Sequence, residues 1–502
     1  MTSSYRQILR SSSIIGGASV INIILGLVRM KAAALLLGPA GVGLIGVFSN
    51  LIGVAISVAG MGLSNAGTRQ IAEAAGNEDA ATVAAARRAL IYMTAVMAVL
   101  GSIVFWLLRG VLAEFVLNDS GRSAEVGWLA FAVGLSIAAS SQEAMLNGLR
   151  RIGDLSRLSV YAAFWSSLLG VAALWVWGYS GVVFYVIAVP FVGFLFGRWY
   201  VSKLPSIDGH PVSIPAITQQ SRAMLKLGSA FMLTSSIGYS GLLLVRSMVQ
   251  DELGIDALGY FQAASAISMT YIGFVINAMS RDYFPRLTAV IEDQQAVNRM
   301  VNEQTEISLL LAGPVFLAMM ALAPWVIELL YSRQFHPAAD VLHWQIIGDI
   351  LKVASWPIAY ILVASGDGKT FVKNEVVGFI SIGVLTWIFL PRFGIAGSGM
   401  AFLGMTAIST IILYRQAMRR TKFIWQPEVT RPLLFLLMST SVLLLVARNS
   451  LQATALLGVT LSAGYAVYAF SRLAHKTSLT GRLGRLALFA QACMKRIGVW
   501  HE

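Results

Sequence analysis

Charged residues are scarce in this 502-residue chain, where Asp, Glu, Lys and Arg together make up 12%. A soluble globular domain carries about 25% of them. Hydrophobic residues make up 57% and the mean hydropathy is +0.72, so the apolar surface exceeds what a single soluble core can enclose. The composition therefore excludes a soluble globular protein and predicts a chain that crosses a membrane many times.

Cysteine, histidine clusters and catalytic motifs are also lacking. The single Cys493 excludes an intramolecular disulfide, and the five histidines show none of the spacings of metal sites. The sequence has no nucleophile elbow, phosphate-binding glycine loop or paired-acid motif. We therefore expect no catalytic residues, no metal, no cofactor and no enzymatic activity. A membrane glycosyltransferase or ligase that works with scattered Arg, Asp and His stays an open alternative.

Long apolar runs are what the chain does contain. Each can cross about 30 Å of hydrocarbon as a helix. The apolar stretch from Ile14 to Val28 and the alanines Ala32 to Ala34 imitate a cleavable signal peptide, but Arg29 and Lys31 lie between them and argue against cleavage. We therefore expect a retained first span. We predict an all-α polytopic membrane protein with about 14 transmembrane helices. The runs lie near residues 11–35, 41–66, 88–109, 124–146, 158–178, 180–200, 223–248, 258–280, 305–330, 342–365, 373–391, 394–415, 432–448 and 452–471.

Basic residues are unevenly distributed between the two sides of these spans. The loops on the side of the N-terminus hold 28 of the 37 Lys and Arg residues, and the opposite loops hold five. By the positive-inside rule, both termini are predicted to be cytoplasmic. The net charge of +13 is thereby explained by topology, with no need for a nucleic-acid partner.

Two polar breaks divide the predicted spans into groups of six, six and two. The longest, 202–221, follows the sixth span, and a second at 416–431 follows the twelfth. We predict an N-lobe over 1–201, a cytoplasmic linker over 202–221, a C-lobe over 222–416, two further helices over 430–471 and a basic cytoplasmic tail over 472–502.

The two predicted lobes also share a short motif. Leu37-Gly38-x4-Gly43 opens the second span and Leu253-Gly254-x4-Gly259 opens the eighth, 216 residues later. With the same offset of 216 residues, Met30, which lies between Arg29 and Lys31, corresponds to Arg246. Each half therefore carries a cation near the end of its first helix. This pattern favours a transporter built from parallel repeats, with its site between the halves.

A polar stripe runs along the first span. Ser19, Asn22, Gly26 and Arg29 fall on one helical face. An Arg or Lys at the middle of a membrane helix costs roughly 2.5–3.5 kcal/mol, so it usually faces a wet cavity, a partner or an anionic ligand. We therefore interpret the stripe as a cavity wall. The alternative is that Arg29, Lys31 and Arg246 reach toward the headgroups from helix ends.

Two further spans carry polar residues at helical spacing. The fourth has Glu143 and Asn147 on one face with two serines. The tenth has Gln345, Asp349, Lys352, Trp356 and Tyr360, and Asp349 and Lys352 are placed to pair. We expect a polar interior with both signs of charge and with aromatic rings that can stack on sugars. The alternatives are polar residues that only join helices and a purely structural ion pair.

Several sequence blocks resemble one transporter family. They are Gly26-Leu27-Val28-Arg29-Met30-Lys31, Leu36 to Leu44, Arg69-Gln70-Ile71-Ala72, Asn147 to Asp154, and Tyr283-Phe284-Pro285-Arg286-Leu287. Through them, nearly the whole chain resembles the polysaccharide flippases of the MOP (multidrug/oligosaccharidyl-lipid/polysaccharide) superfamily. The resemblance is greatest to translocases of O-antigen and of enterobacterial common antigen.

The resemblance implies two six-helix lobes with two extra helices, working by alternating access. The implied substrate is an undecaprenyl-pyrophosphate-linked oligosaccharide that moves from the cytoplasmic to the periplasmic leaflet of the bacterial inner membrane. The resemblance also assigns Arg29 and Lys31 to a cationic site for the pyrophosphate and the glycan. The repeat adds Arg246 to that site. We add Asn22, Asn147, Lys352, Trp356 and Tyr360 as substrate-binding candidates.

Coupling to an ion gradient is also implied, and Glu143 and Asp349 are our candidates for proton or sodium coupling on helical geometry alone. Expected partners are membrane lipids and the polysaccharide polymerase and chain-length machinery. Two alternatives within the superfamily are a peptidoglycan-precursor (lipid II) flippase and a drug/cation antiporter, although the latter would favour an acidic cavity.

Overall fold

The computed structural model describes residues 2–77, 79–205 and 213–477, with side chains described outside 2–15, 230, 274–275, 277–282 and 475–477. The described residues form α-helices joined by short turns and three single-turn 3-10 helices, without a β-strand. The α-helices are α1 (Thr2–Ala59), α2 (Leu63–Gly76), α3 (Ala80–Leu117), α4 (Ser123–Gly148), α5 (Ile152–Trp177), α6 (Val182–Val201), α7 (Ile214–Ala289), α8 (Gln294–Leu330), α9 (Ala338–Ala364), α10 (Gly368–Phe393), α11 (Ala396–Thr421), α12 (Pro427–Ala447) and α13 (Leu451–Thr477).

Eleven stretches of these helices are long and apolar enough to cross a membrane. Three of them, of 44, 50 and 60 residues, are each long enough for two crossings. Each of the three also contains a break, at Gly38, at the 3-10 turn Gly178–Gly181 and at Gly254. Dividing them there gives 14 apolar segments in the described residues, and the number of membrane crossings stays a prediction. The all-α polytopic membrane fold is confirmed.

The breaks in α1 and α7 have the same backbone conformation. Gly38 has φ 65° and ψ −164°, and Gly254 has φ 82° and ψ 180°. This region of backbone space is open essentially to glycine alone, because a Cβ atom would clash there. The first glycine of the repeated motif thus interrupts the helix in both copies, and the segment after it starts in a new direction.

The second glycine of each motif allows the two copies to touch. A Cβ atom on Gly43 would lie 2.8 Å from the carbonyl oxygen of Ile255 and 2.9 Å from the backbone nitrogen of Gly259. A Cβ atom on Gly259 would in turn overlap the backbone of Pro39. The two motifs therefore pack backbone against backbone, which requires a residue without a side chain on both sides.

Aspartates outside the spans cap several of the helices, α3 and α10 among them. Asp79 accepts hydrogen bonds from the backbone N–H groups of Ala81 and Thr82 at the start of α3. Hydrogen bonds from the Thr82 side chain and backbone hold the pKa of its carboxyl below the usual value. Asp367 caps α10 in the same way through Thr370, whose backbone N–H lowers the pKa of that carboxyl as well. Both caps satisfy N–H groups that a helix start leaves open.

The chain folds into two compact units. The first comprises Met1–Gln262 with Leu330–Gln334, and the second comprises Ala263–Leu329 with Phe335–Glu502. In the first, buried residues of α2, α3 and α4 form one apolar core. In the second, α7, α8, α9 and α11 contribute to another. The predicted division into lobes of six, six and two helices stays a prediction. Residues 206–212 of the linker and 478–502 of the tail lie outside the described residues.

Candidate functional site

Arg29 is held in place by one tyrosine of α6. Its Nη2 donates a hydrogen bond to the carbonyl oxygen of Tyr185 at 2.6 Å, and its guanidinium carbon lies 4.0 Å from the centre of the Tyr185 ring. The ring face and the carbonyl both attract a cation, so together they offset part of the cost of a charge in a membrane helix. The side chain is half-buried, and its position is fixed.

The rest of the polar stripe on α1 also meets neighbouring helices of the first unit. Asn22 donates a hydrogen bond from Nδ2 to the hydroxyl of Ser159 on α5 at 3.1 Å. Asn22 Oδ1 and Arg29 Nε are buried and have no hydrogen-bond partner among the described residues. Lys31 is half-buried two residues further along the chain. The stripe therefore joins helices. It also contains polar atoms without a hydrogen-bond partner among the described residues, which a ligand or a water molecule can satisfy.

Arg246 has a different environment, because it is only 5% exposed. Its guanidinium donates hydrogen bonds to the carbonyl oxygen of Gly46 on α1 and to Oε1 of Gln262 on α7. Gln262 lies beyond the break at Gly254, so this arginine connects both halves of α7 to the second half of α1. A buried charge that is bonded on two sides contributes to the packing of the first unit.

The polar face that the sequence predicts on α4 is exposed at Glu143 and Asn147. These two residues lie one helical turn apart. Ser140, on the same face, accepts a hydrogen bond through its backbone carbonyl from the hydroxyl of Ser64 on α2. This face therefore offers an acid and an amide near the end of the helix, as the spacing predicts.

The polar residues of α9 meet the second half of α7 inside the second unit. Asp349 is fully buried, and its Oδ2 accepts hydrogen bonds from Ser268 Oγ at 2.7 Å and Tyr271 Oη at 2.5 Å. One turn earlier, Gln345 donates to Ser265 Oγ at 3.1 Å. The other oxygens of both side chains, Asp349 Oδ1 and Gln345 Oε1, are buried without a partner among the described residues.

Further along α9, a cation and an aromatic group follow. Lys352 lies within electrostatic range of Asp349 and of Glu375 on α10. Trp356 and Tyr360 form a T-shaped pair with ring centres 6.1 Å apart, and Tyr360 stacks edge-on against Tyr283 at 5.8 Å. The column on α9 thus runs from an amide and an acid, past a lysine, to a group of aromatic rings.

Sequence reasoning missed several members of these clusters. The hydroxyl donors Ser268 and Tyr271 carry no motif and lie 81 and 78 residues from Asp349 along the chain. Gln262, which accepts from Arg246, carries no motif either. Glu306 on α8 is another, at 2% exposure and 3.5 Å from Arg472 on α13. Glu306 lies at the start of the predicted span 305–330, directly after the polar residues Glu303, Gln304 and Thr305, so the sequence carries no clear signal for it.

The predicted site residues therefore fall into separate clusters. Asn22, Arg29, Lys31, Glu143, Asn147 and Arg246 belong to the first unit, and Asp349, Lys352, Trp356 and Tyr360 belong to the second. Their joint role in binding one substrate stays a prediction.

Comparisons with solved structures identify the fold. A structure of the lipid II flippase MurJ in an inward closed conformation superposes with a TM-score of 0.68 and 14% identity, over 91% of this chain and 99% of that one. An inward-facing MATE-family multidrug resistance transporter of the MOP superfamily also gives a TM-score of 0.68, with 13% identity, over 82% of this chain and 98% of that one.

Comparisons of sequence identify the family. A lipid III flippase of Escherichia coli (strain K12) is 24% identical over 407 residues, which are 79% of this chain and 94% of that protein. The family model described as "Polysaccharide biosynthesis protein" matches residues 33–340. With that match and the fold of the MOP superfamily, the chain belongs to the polysaccharide biosynthesis protein family.

Proposed function

We propose that this protein is a flippase for a lipid-linked oligosaccharide carried on undecaprenyl pyrophosphate. It moves this substrate from the cytoplasmic to the periplasmic leaflet of the bacterial inner membrane, for assembly of O-antigen or a related surface polysaccharide. The observation that carries the proposal is Arg29, a cation fixed over Tyr185 inside a membrane helix. The family match and the lipid III flippase relative support it.

The chemistry of the substrate explains why a fixed cation matters. A pyrophosphate diester carries about two negative charges, and moving it through hydrocarbon is prohibitive unless other groups replace its hydration. Guanidinium groups bind phosphate oxygens through paired N–H donors. Arg29 retains a buried, unpartnered Nε, so it has donor capacity left for such a group. Lys31 lies about 200° around the helix from Arg29, so it supplies a second charge to the same group only if α1 bends during the transport cycle.

The remaining substrate candidates divide by chemistry. Asn22 and Asn147 offer amides for glycan hydroxyls, Lys352 offers a further cation, and Trp356 and Tyr360 offer rings for sugar faces. Arg246 is a pyrophosphate ligand in this proposal only if it releases Gly46 and Gln262, because these bonds hold both of its Nη groups. The transport cycle would have to include that release.

We further propose that an ion gradient drives the cycle through Asp349 and Glu143. Asp349 combines full burial with an unpartnered oxygen, an arrangement that a proton or a sodium ion can complete. In this proposal both termini are cytoplasmic, in agreement with the distribution of basic residues, and a polysaccharide polymerase receives the product.

The alternatives within the superfamily keep the fold and change the cargo. The MurJ structure supports a lipid II flippase equally well as a fold, and the MATE structure supports an antiporter of cationic drugs. Cations on α1 and α7 favour an anionic cargo over a cationic one. The choice between lipid II and another lipid-linked glycan depends on glycan recognition.

The test is translocation of a labelled undecaprenyl-pyrophosphate glycan in inverted membrane vesicles. Arg29→Ala should reduce translocation at least about tenfold, since one charge-assisted hydrogen bond is worth roughly 1.5–3 kcal/mol. Arg109→Ala is the matched control. Arg109 also lies over an aromatic ring, Trp106 at 4.6 Å, and donates to that residue's carbonyl oxygen at 3.0 Å, but it is outside the stripe.

The control should translocate at the rate of the wild-type protein at equal expression. Arg29→Lys should retain an intermediate rate, because lysine keeps the charge without the forked donors. If Arg29→Ala and Arg109→Ala are both as active as the wild-type protein, Arg29 is a structural anchor and the pyrophosphate site must be sought elsewhere.

A further inference from the structure

The second unit contains a cavity of about 420 Å³ that the proposed transport does not use. It is lined by residues near the C-terminal ends of α8, α10 and α12 and near the N-terminal ends of α9, α11 and α13. These six ends belong to one membrane face, because successive helices alternate in direction. The cavity therefore lies where helices leave the hydrocarbon, at the depth of lipid headgroups.

Two charges of opposite sign border this cavity. Asp340 lies in the first turn of α9, and Arg448 directly follows α12. Both are exposed, and they lie within electrostatic range of each other. The lining also contains apolar side chains, among them Phe393, Leu444 and Leu451. An occupant that matches this lining carries both charges at one end and a hydrocarbon portion at the other.

A buried histidine adds a hydrogen-bond acceptor. His343 also lines the cavity and lies three residues after Asp340, on the same face of α9. It is 5% exposed, and its ring N–H is directed to the backbone carbonyl of Met320. Its Nε2 is buried and has no partner among the described residues. Because the other ring nitrogen holds the proton, Nε2 is a hydrogen-bond acceptor, and no described residue donates to it.

We propose that this cavity binds a zwitterionic phospholipid with a primary ammonium headgroup. Arg448 pairs with the phosphate, and Asp340 and the Nε2 atom of His343 accept N–H groups of the ammonium. One acyl chain follows the apolar wall between α12 and α13. Such a lipid donates a hydrogen bond to the unpartnered nitrogen and pairs with both charges. Its headgroup also lies at the membrane depth of the cavity.

The test measures lipid binding to the purified full-length protein by native mass spectrometry. Phosphatidylethanolamine, phosphatidylcholine and phosphatidylglycerol with identical acyl chains are compared at equal concentration. Phosphatidylethanolamine should bind about tenfold more tightly than phosphatidylcholine, because a trimethylated nitrogen has no N–H to donate. Equal binding of these two lipids would overturn the proposal. So would equal competition by soluble phosphoethanolamine, which would identify a soluble ester as the occupant.

Variants separate the two halves of the headgroup site. Asp340→Asn should remove the preference for phosphatidylethanolamine over phosphatidylcholine, and Arg448→Gln should weaken all three lipids to a similar extent. Arg392→Gln is the matched control, since Arg392 is an exposed arginine at the end of α10 that does not line the cavity. It should bind like the wild-type protein. Unchanged lipid preference in Asp340→Asn would contradict the assignment.

Discussion

Two arginines that look equivalent in the sequence have different environments. Arg29 is half-buried and donates to the carbonyl oxygen of Tyr185, whereas Arg246 is 5% exposed and donates to both Gly46 and Gln262. The Nε atom of each arginine is buried without a partner among the described residues. Removal of the Arg246 side chain leaves two buried neutral acceptors without their donor, at a cost of about 1–3 kcal/mol each. A loss of transport in an Arg246 variant therefore has to be separated from a loss of stability, which Arg29 variants avoid.

Asp349 offers a direct test of ion coupling. Asp349→Asn keeps an oxygen that accepts from Ser268 and Tyr271, but it cannot bind a proton or attract a cation. We expect stability within about 1–2 kcal/mol of the wild-type protein and at least a tenfold loss of translocation driven by an imposed proton or sodium gradient. The measurement is glycan translocation in vesicles with and without the gradient.

The control for this variant is Asp256→Asn, which removes an exposed acid near the break in α7. It should respond to the gradient like the wild-type protein. If Asp349→Asn also responds normally, Asp349 only organises the contact between α7 and α9, and coupling must be assigned to Glu143 or to another acid.

The sequence predicted which side chains are unusual but not what they touch. An Arg in an apolar helix can be recognised in the sequence because placing its charge in the membrane costs free energy. The stripe of Asn22 and Arg29 follows from helical periodicity. Tyr185 lies 156 residues after Arg29, and no local rule connects them. Ser268 and Tyr271 were missed for the same reason, since a hydroxyl in a membrane helix is too common to indicate an acid partner.

The helix breaks were easier to predict than these contacts. The hydropathy pattern already separated the predicted spans 11–35 and 41–66 on either side of Gly38, and 223–248 and 258–280 on either side of Gly254. The repeated motif lies at both of these boundaries. What the motif did not indicate is that its own copies pack together through Gly43 and Gly259. That contact depends on how α1 and α7 cross, which is set by the packing of the whole unit.

The break in α7 should be intolerant of any side chain. Gly254→Ala has open space for its methyl group, so its cost is backbone strain of about 1–3 kcal/mol. Gly238→Ala, on the same helix and also in open space, should be neutral or stabilising by up to about 1 kcal/mol. Thermal unfolding in detergent should therefore show a lower Tm for the first variant only.

Gly259→Ala tests the contact between the motifs in the same assay. Its methyl group would overlap the backbone of Pro39, which cannot move without displacing α1. We expect it to lower the Tm at least as much as Gly254→Ala does. Equal Tm values for all three variants would mean that the breaks adapt to a side chain and that the motif has no structural requirement for glycine.

The orientation of the complete chain in the membrane is a prediction from charge alone. In a Cys493→Ser background, Asn449→Cys and Lys369→Cys place single thiols at exposed positions in the α12–α13 loop and in the first turn of α10. A membrane-impermeant maleimide should label the first in intact cells and the second only after the inner membrane is opened. The reverse pattern would place both termini in the periplasm.

The bonds of Arg246 also constrain the order of biogenesis. Gly46 is synthesised 200 residues before Arg246, which is roughly 10–40 s at the usual rate of translation. Its carbonyl group is therefore already within the bilayer when the arginine enters. Gln262 follows only 16 residues later. A nascent chain that pauses between these positions holds a half-satisfied charge, so completion of the first unit has to wait for the second half of α7 to leave the ribosome.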